Sequence, residues 1–306
     1  MGVVGNWLES LDFEYKISDG CVRGKSKKAT CTTCVDSCPE TGAIVISDRI
    51  PYIQPDLCKE CGDCIAACPV HAIEGVFPKR HVKAGKLLAY NGSKPSVSEL
   101  LIHSSKGIQS ILPQEPLDEV WLERIQAANN LLLDMEKNKI ELLPIKSINL
   151  EEETVSRREL FTMWGKGSKK LAKDVTPASW RFNHKKLELA PYYPDFQFNQ
   201  VEINSDTCTL CRTCERLCPK QCFELNEAGF RISSQACSSC MLCVDSCPEQ
   251  AISVKERVSK ATTMNIEIYQ HTCSVCKKPF KTLHRDEEKC SVCSRIKEGY
   301  LSSRTC

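Results

Sequence analysis

No run of about 18 apolar residues occurs in this sequence, which excludes a transmembrane helix of ordinary length. Charge of one sign is not in excess either. Lys and Arg number 41 against 39 Asp and Glu, a net charge of +2, whereas a nucleic-acid-binding domain usually carries a clear basic surplus. There is no GxGxxG, no GxxxxGK followed by Ser or Thr, and no flavin motif, so no nucleotide site is visible. No Cys–His or Ser–His constellation stands out, so no small-molecule substrate is evident. The start, MGVVGNWLESLDFEYK, has neither a basic n-region nor a long apolar h-region. No secretory signal is expected from it, and a cytoplasmic location follows as an expectation. In a reducing compartment thiols do not pair stably. The hydrophobic share of 42% excludes a wholly disordered chain.

Cysteine is what the sequence has in abundance, 22 in 306 residues. Without disulfides these need another use, and metal is the default. Their spacing decides the case. Cys58, Cys61, Cys64 and Cys68-Pro69 follow a C-x2-C-x2-C-x3-C-P pattern. Cys208, Cys211, Cys214 and Cys218-Pro219 repeat it, as do Cys237, Cys240, Cys243 and Cys247-Pro248. A fourth run is altered: Cys21, then nine residues, then Cys31, Cys34 and Cys38-Pro39. A different grouping, Cys273-x2-Cys276-x13-Cys290-x2-Cys293, closes the series. Only Cys222 and Cys306 are left over.

The four runs fall into two pairs, and each Cys-Pro opens a similar phrase: CPETGAIVI, CPVHAIEG, CPKQCFEL and CPEQAISV. That is an internal repeat at two levels. Hairpins are expected around Ser47-Asp48 and around Asn226 to Gly229. Between the pairs lies a Cys-free stretch. Strands are expected at 87–90, 108–112 and 140–145, and a helix opened by the Ser96/Glu99 capping box should stop at Gly107. Leu117, Val120, Trp121, Ile125, Ala128, Leu131, Leu132 and Met135 keep helical spacing. Strand–helix alternation implies a small parallel sheet. The expected class is α+β. An N-terminal module spans 1–80 and an α/β insert 81–150. A basic helix and extended linker follow at 151–199, then a second module at 200–258 and a tail at 259–306. The Arg157-Arg158 pair looks like a twin-arginine signal, but no apolar region follows it, so it reads as the start of the basic helix.

A 4Fe-4S cubane needs four thiolates, and a C-x2-C-x2-C loop wraps three irons with one turn of backbone. Four-thiolate zinc sites use two separated pairs, not four Cys within eleven residues. On these runs the chain resembles the bacterial ferredoxins that hold two 4Fe-4S clusters, twice over, in the manner of a polyferredoxin. The resemblance covers about 120 residues. It implies crossed ligation, in which the Cys before Pro serves the other cluster of the pair. Cys58, Cys61 and Cys64 would join Cys38. Cys208, Cys211 and Cys214 would join Cys247, and Cys237, Cys240 and Cys243 would join Cys218. Cys31 and Cys34 would join Cys68, with Cys21 as fourth ligand. There the family would place a Cys at position 28, where this chain has Lys28. A three-iron site or a non-Cys ligand is the alternative. Arg23, Lys25, Lys27 and Lys28 nearby would raise that cluster's potential.

Cys273, Cys276, Cys290 and Cys293 fit a tetrahedral structural zinc site, and the tail resembles a zinc ribbon over about 25 residues. A fifth cluster or a rubredoxin-like iron is the alternative, and His284 inside the loop is a possible substitute ligand. The expectation is therefore an electron-transfer protein with four 4Fe-4S clusters and one Zn2+. It would have no catalysis of its own and would be a subunit or partner of a redox enzyme; cluster-bearing subunits of formate dehydrogenases and hydrogenases are similar in their motifs. Two further hypotheses stand beside it. One is an iron–sulfur sensor or scaffold whose zinc ribbon binds nucleic acid, although acidic residues dilute the tail's basic ones. The other is a reductase with its site in the insert.

Overall fold

The computed structural model describes residues 15–75, 77, 80–91, 94–145 and 187–295. The basic helix expected near 156–173, the Arg157-Arg158 pair and Cys306 lie outside the described residues. Among the described residues no helix is long and apolar enough to cross a membrane.

The chain divides into two compact units. The first comprises residues 1–21 and 32–192, and the second 22–31 and 193–306. In the first, β1 (Lys16–Ile17) is the strand that later meets β4. The hairpin β2 (Ile44–Ser47) and β3 (Ile50–Ile53) pairs Ile44 with Ile53 and Ser47 with Ile50. Its turn residues Asp48 and Arg49 both have positive φ, 47° and 70°. This is the I′ geometry whose twist suits a two-residue hairpin. Short helices Thr33–Asp36 and Asp63–Ala67 precede Cys38 and Cys68. β4 (Ile73–Glu74) pairs antiparallel with β1. Ile44, Ile53, Ile65, Ile73, Tyr15 and Phe77 form the core, joined by Cys64 and Cys68.

The insert follows. β5 (Val82–Lys83) runs antiparallel to β6 (Lys86–Ala89); β6, β7 (Ser110–Pro113) and β8 (Glu141–Leu142) are parallel neighbours in the order 5-6-7-8. The strand β5 has no counterpart in the expected pattern. It is a two-residue edge, exposed on both positions, with no hydrophobic signal to betray it. The helix Val97–Ser105 starts in a full capping box: Glu99 N donates to Ser96 Oγ at 3.2 Å, and Ser96 N donates to Glu99 Oε2 at 2.7 Å. It stops before Gly107, which takes φ 84°. The helix Glu119–Asp134 buries Trp121, Ile125, Ala128 and Leu132 on one face. Burial of such side chains contributes about 1.5–3 kcal/mol each. Val120, counted among the apolar spacing, is exposed.

In the second unit β9 (Phe196–Ile203) pairs with β12 (Ile252–Lys260), and β10 (Phe223–Asn226), β11 (Gly229–Ser233) and β13 (Thr263–Ile266) form a three-stranded sheet. The linker expected to run through residue 199 thus ends earlier: burial along Phe196–Ile203 alternates with period two, and the strand pairs from Phe196 onward. The apolar stretch at 265–269, NIEIY, is divided between two elements. β13 belongs to the module's sheet, and β14 (Tyr269–Thr272) with β15 (Pro279–Thr282) makes a separate hairpin. Short helices at Thr213–Leu217, Leu242–Ser246 and Ser291–Arg295 complete the unit. Residues 22–31 belong here as well. They form a helical turn Val22–Lys25 with Val22 buried. Thr30 donates from both N and Oγ1 to Asp245 Oδ2 at 2.7 and 3.0 Å.

Candidate metal centres

The three regular Cys runs share one backbone conformation. The residue just before each second Cys is left-handed: Glu60, Leu210 and Ser239, at φ 52°, 53° and 56°. So is the residue just after it: Gly62, Arg212 and Met241, at φ 80°, 62° and 56°. Alternating right- and left-handed residues turn successive N–H groups toward one point, a concavity suited to anions such as thiolate and sulfide. A third left-handed residue follows each Cys-Pro at His71, Gln221 and Gln250. It aims the next amide back at the cysteine. Ala72 N, Cys222 N and Ala251 N donate to the Sγ of Cys68, Cys218 and Cys247 at 3.2, 3.4 and 3.3 Å.

The altered run departs from this. Thr32 takes φ −123°, and the helix Thr33–Asp36 starts directly around Cys34. After Cys38 the phrase is one residue longer than its three counterparts, and the left-handed position falls on Gly42 at φ 83°.

The thiols gather across the pairs. Burial, then the neighbouring thiols of Cys61, Cys58 and Cys38, push Cys64 up to about 12. Cys208 is raised by burial and then by Cys211 and Cys247. Burial raises Cys243 to about 12, with Cys237, Cys240 and Cys218 adding to it. Cys38, Cys247 and Cys218 thus each lie near thiols of the partner run. Four thiols crowded in such groups do not ionise together without a compensating cation. The donor sets and the inward amides fit an iron–sulfur cluster, and so does the buried Ser238 Oγ, which has no hydrogen-bond partner. Cys21, Cys34, Cys38 and Cys68 pack at the core of the first unit. Cys31 ends the segment counted with the second unit, where Arg23 Nη1 donates to its carbonyl at 3.0 Å.

In the tail the ligand atoms of Cys273, Cys276, Cys290 and Cys293 all lie within 4.8 Å of one another, a single-ion distance. Cys273 closes the first knuckle: Lys277 N donates to its carbonyl, and its own N donates to Lys278 O, both at 3.0 Å. Cys290 N donates to Cys273 Sγ at 3.4 Å, and such amide donors hold that thiol down at about 6. His284 is not with this group. Its Nε2 lies 3.0 Å from the Ser205 carbonyl. Leu283 is buried in the core of the second module.

Sequence reasoning set Cys222 aside. It is 3% exposed and lies against Cys218 and Cys237. The signal was in the repeat itself, for its counterparts in the other phrases are Ala43, Ala72 and Ala251.

Fold and thiol geometry together define an iron–sulfur protein with two dicluster modules. Family models described as 4Fe-4S dicluster domain match residues 29–72 and 207–252. Two such domains support four 4Fe-4S clusters. The ferredoxin-type protein NapF of Escherichia coli (strain K12) is 35% identical over 75 residues, 23% of this chain and 44% of the relative. A ferredoxin of Mycolicibacterium smegmatis is 41% identical over 59 residues, 19% and 50% of the two chains. A ferredoxin 7Fe of Hydrogenibacillus schlegelii is 39% identical over 59 residues, covering 19% of this chain and 68% of the relative. The chain belongs to the bacterial ferredoxin family, carrying its dicluster module twice. It spans about half the length of the first of these relatives.

Proposed function

We propose that the protein relays electrons through four 4Fe-4S clusters as a subunit or partner of a redox enzyme complex. What carries this reading is the repetition of one thiol cradle, with the same left-handed positions and the same amide-to-sulfur bond, in three runs. In it Cys58, Cys61, Cys64 and Cys38 hold one cluster, and Cys208, Cys211, Cys214 and Cys247 a second. Cys237, Cys240, Cys243 and Cys218 hold a third, and Cys31, Cys34, Cys68 and Cys21 the fourth. Bound clusters supply one-electron steps. The chain's own groups fix the sulfurs and offset their charge with N–H donors, which sets where each step lies in potential. The kinship with ferredoxins and with NapF supports a redox protein as the partner. The tail group holds a structural zinc, since two C-x2-C knuckles closing on one point suit a tetrahedral ion.

Metal analysis tests this. Protein purified without oxygen should hold about 16 iron, about 16 sulfide and one zinc per chain, four of each per cubane. A fully loaded preparation with about 8 iron would overturn the reading. Missing zinc with surplus iron would make the tail an iron site. The relative named for seven irons has one iron fewer than two cubanes, and a value near 15 here would single out the Cys21 site as three-iron.

A further inference from the structure

We infer that Arg124 is a positioning residue for the cluster of Cys38, Cys58, Cys61 and Cys64: its guanidinium neutralises the Asp63 carboxylate between two of the ligands and keeps that cluster's reduction potential from falling. The inference rests on the ligand assignment proposed above for that cluster, and it gives the α/β insert a part in the redox centre.

Asp63 stands between Cys61 and Cys64, directly after the left-handed Gly62. Its partner comes from the insert, on the helix Glu119–Asp134. Arg124 Nη2 donates to Asp63 Oδ2 at 3.2 Å and Nη1 to Oδ1 at 3.5 Å, a fork laid on both carboxylate oxygens. Nη1 also donates to the carbonyls of Lys94 and Pro95, at 3.2 Å each. Lys94 O accepts in turn from Arg80 Nη2 at 2.9 Å, and Arg80 Nε is paired with Glu99 Oε1 at 2.8 Å. The guanidinium is therefore held from two sides, by the cluster loop and by the entry to the helix Val97–Ser105. The side chains of Arg124 and Asp63 are only 23% and 16% exposed, so water and salt screen the pair weakly.

The carboxylate is peculiar to this run. The residue before the third Cys is Thr213 in one regular sister run and Leu242 in the other, and before Cys34 in the altered run it is Thr33. The short helices Thr213–Leu217 and Leu242–Ser246 form without an acid at that position, so the local backbone does not need one. An anion beside a ligating thiolate disfavours the more negative, reduced cluster, and a cation paired with it removes that effect. Arg stays charged at every working pH, so the neutralisation is permanent. At an effective dielectric of about 20, a unit charge ~12 Å from another changes its equilibrium about tenfold, and a carboxylate one residue from a ligand stands within that range. Without Arg124, this cluster would be about tenfold harder to reduce.

The test is an anaerobic redox titration of the full chain, followed by EPR, on the parent, Asp63→Asn, Arg124→Gln and the double variant, with iron measured on each. Arg124→Gln should lower one of the four midpoints by about tenfold in the reduction equilibrium, or about 59 mV for one electron. Asp63→Asn, which leaves the cation alone, should raise the same midpoint. The double variant should return it to the parent's value, and Arg124→Lys should hold it there, while the other three midpoints stay put. Charge moves the two single variants in opposite directions. A loosened loop would move both the same way, and that result would overturn the proposal. Full iron with every midpoint unmoved would overturn it too and leave the cluster assignment standing. If Arg124→Gln loses its iron, the sign of the shift in Asp63→Asn decides alone, a rise supporting the proposal and any other result overturning it. A parent holding only two clusters would remove the assignment and the proposal with it.

Discussion

Non-glycine residues held at positive φ cost about 1–2 kcal/mol each, yet Glu60, Leu210, Ser239, Arg212 and Met241 all sit there. Strain of this kind persists where the surroundings dictate it, and here the sulfurs to be cradled do so. The altered run lacks both left-handed positions, which is why the placement of its fourth ligand cannot be carried over from its neighbours. Cys21→Ser decides it. If Cys21 is the ligand, one cluster should convert to a three-iron form, giving an oxidised-state EPR signal absent from the parent, while the other three clusters are spared. Unchanged iron and EPR would remove Cys21 from the set. The twelve cysteines of the three regular runs were legible in the sequence because they recur at spacings of three and four residues, a pattern that Cys21, ten residues before Cys31, does not share. The contact of Cys222 was not legible, since it depends on the fold bringing Cys237 beside Cys218. The extra residue before Ala43 was visible in the repeat but had no meaning until Gly42 was seen to take the left-handed position.

At the scale of elements, local signals read well where they are local. The Ser96 capping box, the stop at Gly107 and the turn at Asp48-Arg49 needed no tertiary information. Pairing between distant strands is different. Nothing near Thr263–Ile266 announces that it will lie against β11. The position that makes this possible is Gly229, at φ 142°, where an added Cβ would meet the Ile266 carbonyl oxygen at 2.8 Å. Both the conformation and the clearance demand glycine. Gly229→Ala is expected to destabilise the second unit by about 1–3 kcal/mol and to loosen β13 from β11. A lower thermal midpoint for bleaching of the second module's clusters, with the first module unchanged, is the expected observation. Equal stability would mean that the strands slide apart without penalty.

For the molecule as a whole, the two units are not simply successive stretches of sequence. Residues 22–31 are held by Asp245 and by Ser246, whose Oγ lies 2.8 Å from Ser26 Oγ, and no local pattern in VRGKSKKAT forecasts that. The tail likewise belongs to its module, through Leu283 in the core, His284 on Ser205 and Arg295 paired with Glu249. Removing its metal ligands should therefore be felt beyond the tail. In a Cys290→Ser, Cys293→Ser double variant, hydrogen exchange at Phe230 to Ile232 is expected to accelerate by at least tenfold, equivalent to about 1.4 kcal/mol of lost protection. Unaltered exchange there would make the tail an independent appendage.

The position of Leu283 also sets a timetable for synthesis. Among the described residues the core of the first unit draws on nothing later than Tyr192, whereas the core of the second waits for Leu283. At about 5–20 residues per second on the ribosome, the intervening stretch takes on the order of 5–20 s to emerge. During that interval the core of the first unit is complete, whereas residues 22–31, which carry Cys31 and are held by Asp245 and Ser246, and the eight run cysteines of the second unit are not yet in place. Iron delivery and damage by oxidants compete for those thiols at this stage, so an oxygen pulse given during translation should leave chains with the site of Cys38, Cys58, Cys61 and Cys64 loaded and the sites of the second module empty.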